Sequence, residues 1–321
     1  ATAFETYAAC PYRYFLSRYL HIEPTDSPEQ EIVLNALEFG TLIHDVLEKF
    51  GLWRMKVKPA DSSRIEQEAR LKTSIVDKID ELKSTVPGRS DGAWKIEESR
   101  AWLILRHWLR RESYTAQQPE MRQIEAEYSF GGGGIGPSVG PAVEVRTKTG
   151  GVVRFRGQVD RVDISSDGSR IIVYDYKSGG HKAYTKLDDD PVKKGTKLQL
   201  PLYSKAIGEK YPDAEISASY WFVRESDNNE LKPPPGDYKK DKAETALTQT
   251  VGTIVQGIDN GIFPARPGDL VPWGESSEQY ENCKLCEYAR VCPKSKARLW
   301  DTKKDSAPAL ESYVNLAESG S

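Results

Sequence analysis

The stretch Val152–Lys177, VVRFRGQVDRVDISSDGSRIIVYDYK, decides the reading of the fold. β-branched and aromatic residues fill Val152–Val162 and Arg170–Tyr176, and Ser166-Asp167-Gly168-Ser169 between them is turn chemistry, so two adjacent antiparallel strands are expected. Upstream, Gln123–Phe130 (QIEAEYSF) alternates as a strand and Val143–Lys148 is another β-rich run, closed by Thr149-Gly150-Gly151. The glycine-rich segment Gly131–Gly140 lacks the Lys-Ser/Thr of a phosphate loop and reads as a hairpin connection. Downstream, Lys193–Lys210 returns to a helical pattern, Glu215–Arg224 is a strand, Asn228–Lys242 is a polar, proline-rich loop, and Glu244–Gly257 is helical.

Toward the N-terminus the pattern is helical. Phe4, Tyr7, Phe15 and Leu16 predict a helix over the first twenty residues, broken by Pro24 and Pro28. Three more are expected at Glu31–Met55, Arg64–Val86 and Trp94–Arg111. The last carries Trp94, Ala101, Trp102, Leu105, Trp108 and Leu109; indoles can stack on bases, but an apolar stripe at this period reads as core. Helices, then strands, then helix, strand and a loop-rich tail predict an α/β fold with a mixed central sheet.

Within the opening stretch, Asp160 is expected at the end of one strand and Asp175-Tyr176-Lys177 at the end of the next. Ends of neighbouring strands lie side by side, and the first and third residues of Asp175-Tyr176-Lys177 share a face, so Asp160, Asp175 and Lys177 converge. Two carboxylates and an ammonium suit a hard divalent cation, Mg²⁺ or Mn²⁺, with a charged helper that steadies charge developing on phosphorus. Taken singly, Asp-x-Lys is a common surface ion pair, a helical His44 is usually packing, and Gln199 with Tyr203 four residues on is ordinary half-buried contact.

In order, however, the chain reads Gly40-x-x-x-His44, Gly157-x-x-Asp160, Asp175-Tyr176-Lys177 and Gln199-x-x-x-Tyr203. This series resembles the motifs of RecB-family nucleases within the PD-(D/E)XK superfamily. The resemblance implies a restriction-endonuclease-like αβββαβ core with a helical insertion and a cysteine-rich C-terminal region. It also implies metal ligation by His44, Asp160, Asp175 and the Tyr176 carbonyl, a catalytic Lys177, and support from Gln199 and Tyr203.

Four cysteines are too few for a secreted disulfide scaffold of this length. Cys283-x₂-Cys286-x₅-Cys292 precedes Pro293, and Cys10 stands alone before Pro11. Four thiolates hold either zinc or a [4Fe–4S] cluster; a three-plus-one split across the chain, with Cys-Pro, fits the cluster better than the paired ligands of a zinc knuckle. The arrangement resembles the iron staple of AddB-type nucleases and of a CRISPR spacer-acquisition nuclease family. A link of that span is worth at most roughly 5–6 kcal/mol by chain-entropy reasoning.

The 321 residues carry a net charge of −3, so bulk charge gives no case for nucleic acid and any DNA groove must be local. One such patch is Lys182, Lys186, Lys193, Lys194 and Lys197, between Lys177 and Gln199. With neither a bilayer-length apolar run nor a signal-peptide pattern, no membrane association and a cytoplasmic location are expected. Ala1 at the start is expected of a processed chain or a piece of a longer one. The expected organisation is one nuclease domain over 1–321: a helical part to 120 that includes Cys10, a core over 121–260, and a cluster-binding tail over 261–300. The resemblance implies a metal-dependent, exonuclease-like deoxyribonuclease of DNA repair or recombination. It would act on single-stranded ends beside a helicase subunit or fused helicase domain, since the chain itself has no Walker motif. The rival readings are a catalytically silent DNA-binding scaffold and a zinc-containing structural protein.

Overall fold

The computed structural model describes residues 1–23, 34–57, 62–85, 88–115, 121–132, 138–224, 240–273 and 277–318. Helices α1 (Thr2–Ala9) and α2 (Pro11–Tyr14) run into a π-helical turn at Phe15–Tyr19, followed by α3 (Ala36–Lys56), α4 (Arg64–Thr85) and α5 (Asp91–Thr115). Next come β1 (Met121–Phe130), β2 (Val139–Gly140), β3 (Val143–Arg146), β4 (Val152–Phe155), β5 (Gly157–Ser165) and β6 (Arg170–Lys177). A 3₁₀ turn at His181–Tyr184 leads to α6 (Gln199–Lys210), β7 (Glu215–Phe222) and α7 (Lys240–Asp259). The tail holds β8 (Leu270–Trp273), β9 (Ser277–Tyr280), α8 (Lys296–Ser306) and α9 (Glu311–Glu318).

Five strands form one mixed sheet in the order β2-β1-β5-β6-β7. β5 runs antiparallel to both β1 and β6, whereas β6 and β7 are parallel. Parallel neighbours need a crossover, and α6 supplies it. The series α3-β1-β5-β6-α6-β7 is the αβββαβ core of a PD-(D/E)XK fold. On one face, Leu198, Leu202, Ile207 and Val251 pack with Val159, Val162 and Val173. On the other, α3, α4 and α5 bring Leu42, Val46, Phe50, Leu71, Ile75, Leu105 and Trp108 onto Tyr174, Tyr176 and Trp221. Trp94 and Trp108 are buried there, as the core reading of the indole stripe requires. No helix among the described residues is long and apolar enough to cross a membrane.

Several sequence boundaries move. The first helix breaks at Cys10, whose backbone is extended (φ −155°, ψ 103°) because a residue before proline avoids the helical region. Val152–Val162 is two strands: β4 pairs with β3 in a separate hairpin, and β5 enters the main sheet. The glycine-rich segment does not join antiparallel strands; β2 pairs parallel to β1, with Ser129 opposite Val139. The helix expected from Lys193 starts only at Gln199, because Lys193, Lys194 and Gly195 adopt left-handed φ values. Pro24, Pro28, the Glu31 start of the second helix, Val86 and most of Asn228–Lys242 lie outside the described residues.

α3 starts at Ala36, later than the expected Glu31, and its cap explains the place. The Asn35 side chain accepts from the Leu37 and Glu38 amides, and the Glu38 carboxylate accepts from the Asn35 amide at 3.0 Å, a reciprocal cap. Beneath α3 and α5, the buried Glu112 carboxylate pairs with Arg54 and with Arg161 (3.2 Å), and Arg161 also grips Asp163 at 2.6 Å. At the end of β7, the Arg111 guanidinium donates to the carbonyls of Phe222 (2.7 Å) and Val223 (3.0 Å).

Candidate active site

Asp160 lies inside β5, not at its end. It sits next to β6, and its Oδ2 accepts the Tyr176 backbone amide. Its other oxygen, Oδ1, lies 3.3 Å from His44 Nδ1 on α3. Two elements therefore position one carboxylate: the sheet fixes one oxygen and the first long helix addresses the other. Asp175, one strand over, is buried and forms an ion pair with Lys177 two residues on. Lys177 Nζ donates to Gln199 Oε1 at 2.9 Å, and Gln199 Nε2 donates to the Tyr203 hydroxyl at 3.4 Å. The expected site residues thus meet at one end of the sheet, between α3 and α6.

The motif glycines have steric reasons. A Cβ on Gly157 would come within 2.6 Å of Phe130 Cζ and 3.4 Å of Tyr203, and one on Gly40 within 3.2 Å of Ser178 Oγ. Glycine at 157 leaves room for the Phe130 ring, which packs edge-on against Tyr203, and glycine at 40 lets α3 approach the loop after Lys177.

The electrostatics are those of crowded carboxylates. Burial, with Asp160 beside it, pushes Asp175 up to about 6, although the Lys177 ammonium opposes the rise. Burial lowers the His44 imidazole, but the Asp160 carboxylate outweighs it and carries His44 up to about 9. Burial also lowers Lys177, but Asp175 holds its pKa above the usual value, so it remains an ammonium.

One residue in this cluster carries no motif. Glu127 on β1 brings a carboxylate oxygen within 4.8 Å of ligand atoms of both His44 and Asp160. Burial and the Asp160 carboxylate push it up to about 8. The available signal is an acidic residue in the middle of a strand whose neighbours, Ala126 and Tyr128, are both buried.

The PD-(D/E)XK nuclease superfamily profile matches residues 1–293. The chain belongs to that superfamily. Its similarities include the B subunit of the ATP-dependent helicase/deoxyribonuclease of Clostridioides difficile, 28% identical over 255 residues, which are 77% of this chain and 20% of that protein. The proteins of the same name from Lachnoclostridium phytofermentans and Acetivibrio thermocellus are 26% identical over 291 residues and 28% identical over 219. The chain spans about a fifth of the length of these curated relatives.

Around this PD-(D/E)XK core, the N-terminal helices and the tail come together. Asn282 Nδ2 donates to the Ala9 carbonyl (2.8 Å), Tyr288 OH to the Ile22 carbonyl (2.9 Å), and Arg13 pairs with Glu287 (2.6 Å). Cys10 sits at this junction. Burial raises its thiol pKa, and the nearby Cys286 adds to the rise. Burial likewise raises Cys292, with Cys10, Cys283 and Cys286 contributing. The four thiols lie near enough to feel one another's charge, but among the described residues no three of their sulfurs fall within 4.8 Å of one another. Tyr7, Ala8, Ile254, Trp300 and Tyr313 pack beside the junction.

Four of the five patch lysines, Lys186, Lys193, Lys194 and Lys197, line a groove of about 990 Å³ with Arg266, Asp189, Asp190 and Glu281. Lys197 stacks over Tyr184 at 4.2 Å, and Tyr184 packs on Tyr220, whose ring lies 5.3 Å from Lys177 Nζ. Lys182 is exposed and does not line the groove.

Proposed function

We propose that the chain is one nuclease unit that hydrolyses DNA phosphodiester bonds with a divalent metal ion, Mg²⁺ or Mn²⁺. The observation that carries this reading is the convergence of His44, Asp160, Asp175 and Lys177 at one end of the sheet of a PD-(D/E)XK fold. The donors fit such an ion: they are hard oxygens with one imidazole, and their mutual repulsion is a charge surplus that a cation neutralises. His44, Asp160, Asp175 and the Tyr176 carbonyl would hold it. When bound, it polarises the phosphodiester and lowers the pKa of water. Lys177, steered by Asp175 and Gln199, presents its ammonium to charge that grows on the phosphoryl oxygens. Tyr203 orients Gln199 and, packed against Gly157, closes the site on the α6 side.

Purified protein is expected to degrade DNA only with a divalent ion, and Asp160→Ala or Lys177→Ala to remove that activity with the circular dichroism spectrum unchanged. Full activity in both variants would overturn the assignment.

The finer reading assigns Cys10, Cys283, Cys286 and Cys292 to a [4Fe–4S] cluster that staples the 261–300 tail to the helical N-terminal part. The contacts that hold the segment around Cys10 against the tail that carries Cys283, Cys286 and Cys292 support it. Protein prepared without oxygen should be brown, with about four irons per chain; stoichiometric zinc without iron would eliminate the cluster. The substrate is a single-stranded DNA end, led along the lysine-lined groove. The names of the relatives support a helicase partner or fused helicase domain. Single-stranded ends should be cut faster than covalently closed duplex circles; equal rates would refute this part.

A further inference from the structure

We propose that Glu5, on α1, is a positioning residue for the lysine of the site: it holds the first turn of α6, which sets Gln199, which in turn sets Lys177. This rests on the nuclease reading above.

α6 has no cap of its own. Its N-cap residue is Leu198, whose side chain offers no acceptor to the amides that a helix start leaves free. The Leu198 amide instead donates to Glu5 Oε1 at 2.7 Å, across 193 residues of sequence. A carboxylate at that end also suits the helix dipole. Just upstream, Lys193, Lys194 and Gly195 hold left-handed φ values, so no regular element delivers the chain to the start of α6. α1 supplies the stop. A Cβ on Gly195 would lie 2.9 Å from Ala8 Cβ, about one turn along α1 from Glu5. α1 therefore meets the approach to α6 at two points, Gly195 and Leu198.

The residue after Leu198 is Gln199, whose Oε1 accepts from Lys177 Nζ at 2.9 Å. Lys177 is thus steered from two sides. Asp175 lies on the same strand and moves with Lys177, whereas the Gln199 contact depends on where α6 begins. Glu5 fixes that beginning from outside the core sheet. Burial lowers the pKa of the neighbouring Lys197, and the Glu5 carboxylate is the foremost charge opposing the drop. Glu5 belongs to none of the four motifs, and it acts on the site only through the backbone that carries one of them.

Three variants of the full chain test this. Glu5→Gln keeps an acceptor of the same reach without the charge. Glu5→Asp keeps the charge but falls short of the amide, and Glu5→Ala removes both. With a single-stranded oligonucleotide and saturating Mn²⁺, Glu5→Ala and Glu5→Asp should lower kcat by about 10–100-fold, the scale of a misplaced catalytic group. KM and Mn²⁺ affinity should not change. Glu5→Gln should stay within about fivefold of wild type, because it loses only a charge at a helix terminus. Wild-type kcat in Glu5→Ala would overturn the proposal, and so would a loss in Glu5→Gln as large as in Glu5→Ala. A second readout needs no cleavage: trace acetylation of the lysines, read by mass spectrometry. In Glu5→Ala, Lys177 should react several-fold faster relative to Lys210, which sits at the far end of α6 and pairs with Glu125. If Glu5→Ala does not fold, Glu5→Asp carries both readouts. A wild-type chain that cuts no DNA removes the nuclease reading instead, and the acetylation ratio then decides the role of Glu5 by itself: a raised ratio supports it, and an unchanged ratio rejects it.

Discussion

The carboxylate rung around Asp160 and the cysteine junction are held in place by different physics. At the first, Asp175 and Lys177 lie on the β6–β7 ladder, and Asp160 stands just past the last β5–β6 pair, Arg161–Tyr174, where its Oδ2 takes the Tyr176 amide. The two carboxylates repel each other, and the Lys177 ammonium offsets part of that repulsion. At the junction, α1, α2 and the tail meet chiefly through side chains: Asn282 to Ala9, Tyr288 to Ile22, and the partly exposed Arg13–Glu287 pair. An exposed pair of that kind contributes about 0–1 kcal/mol. A ladder can carry chemistry that weakens it locally; a loop junction needs a cross-link. Charge at the rung should govern activity and metal, and sulfur at the junction should govern stability.

The largest expected effect tests the first half. Lys177→Ala should lower the cleavage rate by about 10²–10³-fold, the usual loss when one transition-state donor is removed. Mn²⁺ should still bind, while the metal-free chain should lose stability because Asp175 is left buried without its ammonium. A loss under tenfold would mean that the rung does not depend on its ammonium.

Next comes Cys10→Ala. By analogy with loss of a long-range disulfide, it should cost about 2–5 kcal/mol, read from urea unfolding. Mn²⁺ binding at the rung should survive. Wild-type stability in this variant would show that the hydrogen bonds and the Tyr7–Tyr313 packing hold the junction without sulfur.

A third effect separates the regions by pH. Glu127 and Asp175 have carboxyl pKa values raised to about 8 and about 6, and His44 is raised to about 9. A group whose pKa is raised in the folded chain stabilises below its unfolded pKa, and that stabilisation is lost as pH rises through the folded value. The metal-free chain should therefore melt at progressively lower temperature as pH rises from about 4 to 9, through Asp175 first, then Glu127 and His44. Metal binding displaces the same protons, so Mn²⁺ affinity should rise over that range by about tenfold per pH unit for each proton released. A flat affinity profile would contradict the charge crowding at the rung.

The smallest effect concerns the groove. Lys194→Ala with Lys197→Ala should weaken single-strand binding several-fold and flatten its salt dependence by about 0.7 for each phosphate no longer neutralised. Unchanged salt dependence would move the DNA path elsewhere.

Much of the rung is legible in the sequence because its parts are local. Gly157-x-x-Asp160 and Asp175-Tyr176-Lys177 each lie on one strand, where period two fixes which residues share a face. Asn35 and Glu38 announce the start of α3, though periodicity alone begins that helix too early. Glu127 is not legible, because its left-handed backbone (φ 54°) breaks the alternation of its strand. The late start of α6 escapes for a related reason. Lys193 and Lys194 are good helix formers by propensity, and only the turn that bonds their backbone to Asp190 holds them in left-handed conformations. Cys10-Pro11 reads as a ligand motif, and that reading hides its effect on the backbone, which is to end α1.

Arg111 has a consequence beyond the site. Among the described residues β7 is the last strand on one side of the sheet, and a strand edge is a template on which another chain can add itself. Arg111 reaches across from α5 to occupy the Phe222 and Val223 carbonyls where that strand ends. A strand arriving there meets a desolvated guanidinium and acceptors already engaged. Tyr184 and His181 further crowd the approach with rings packed on Tyr220 and Phe222. The helix that backs the core thus also occupies two acceptors at the end of that edge strand, which an added strand would otherwise find open.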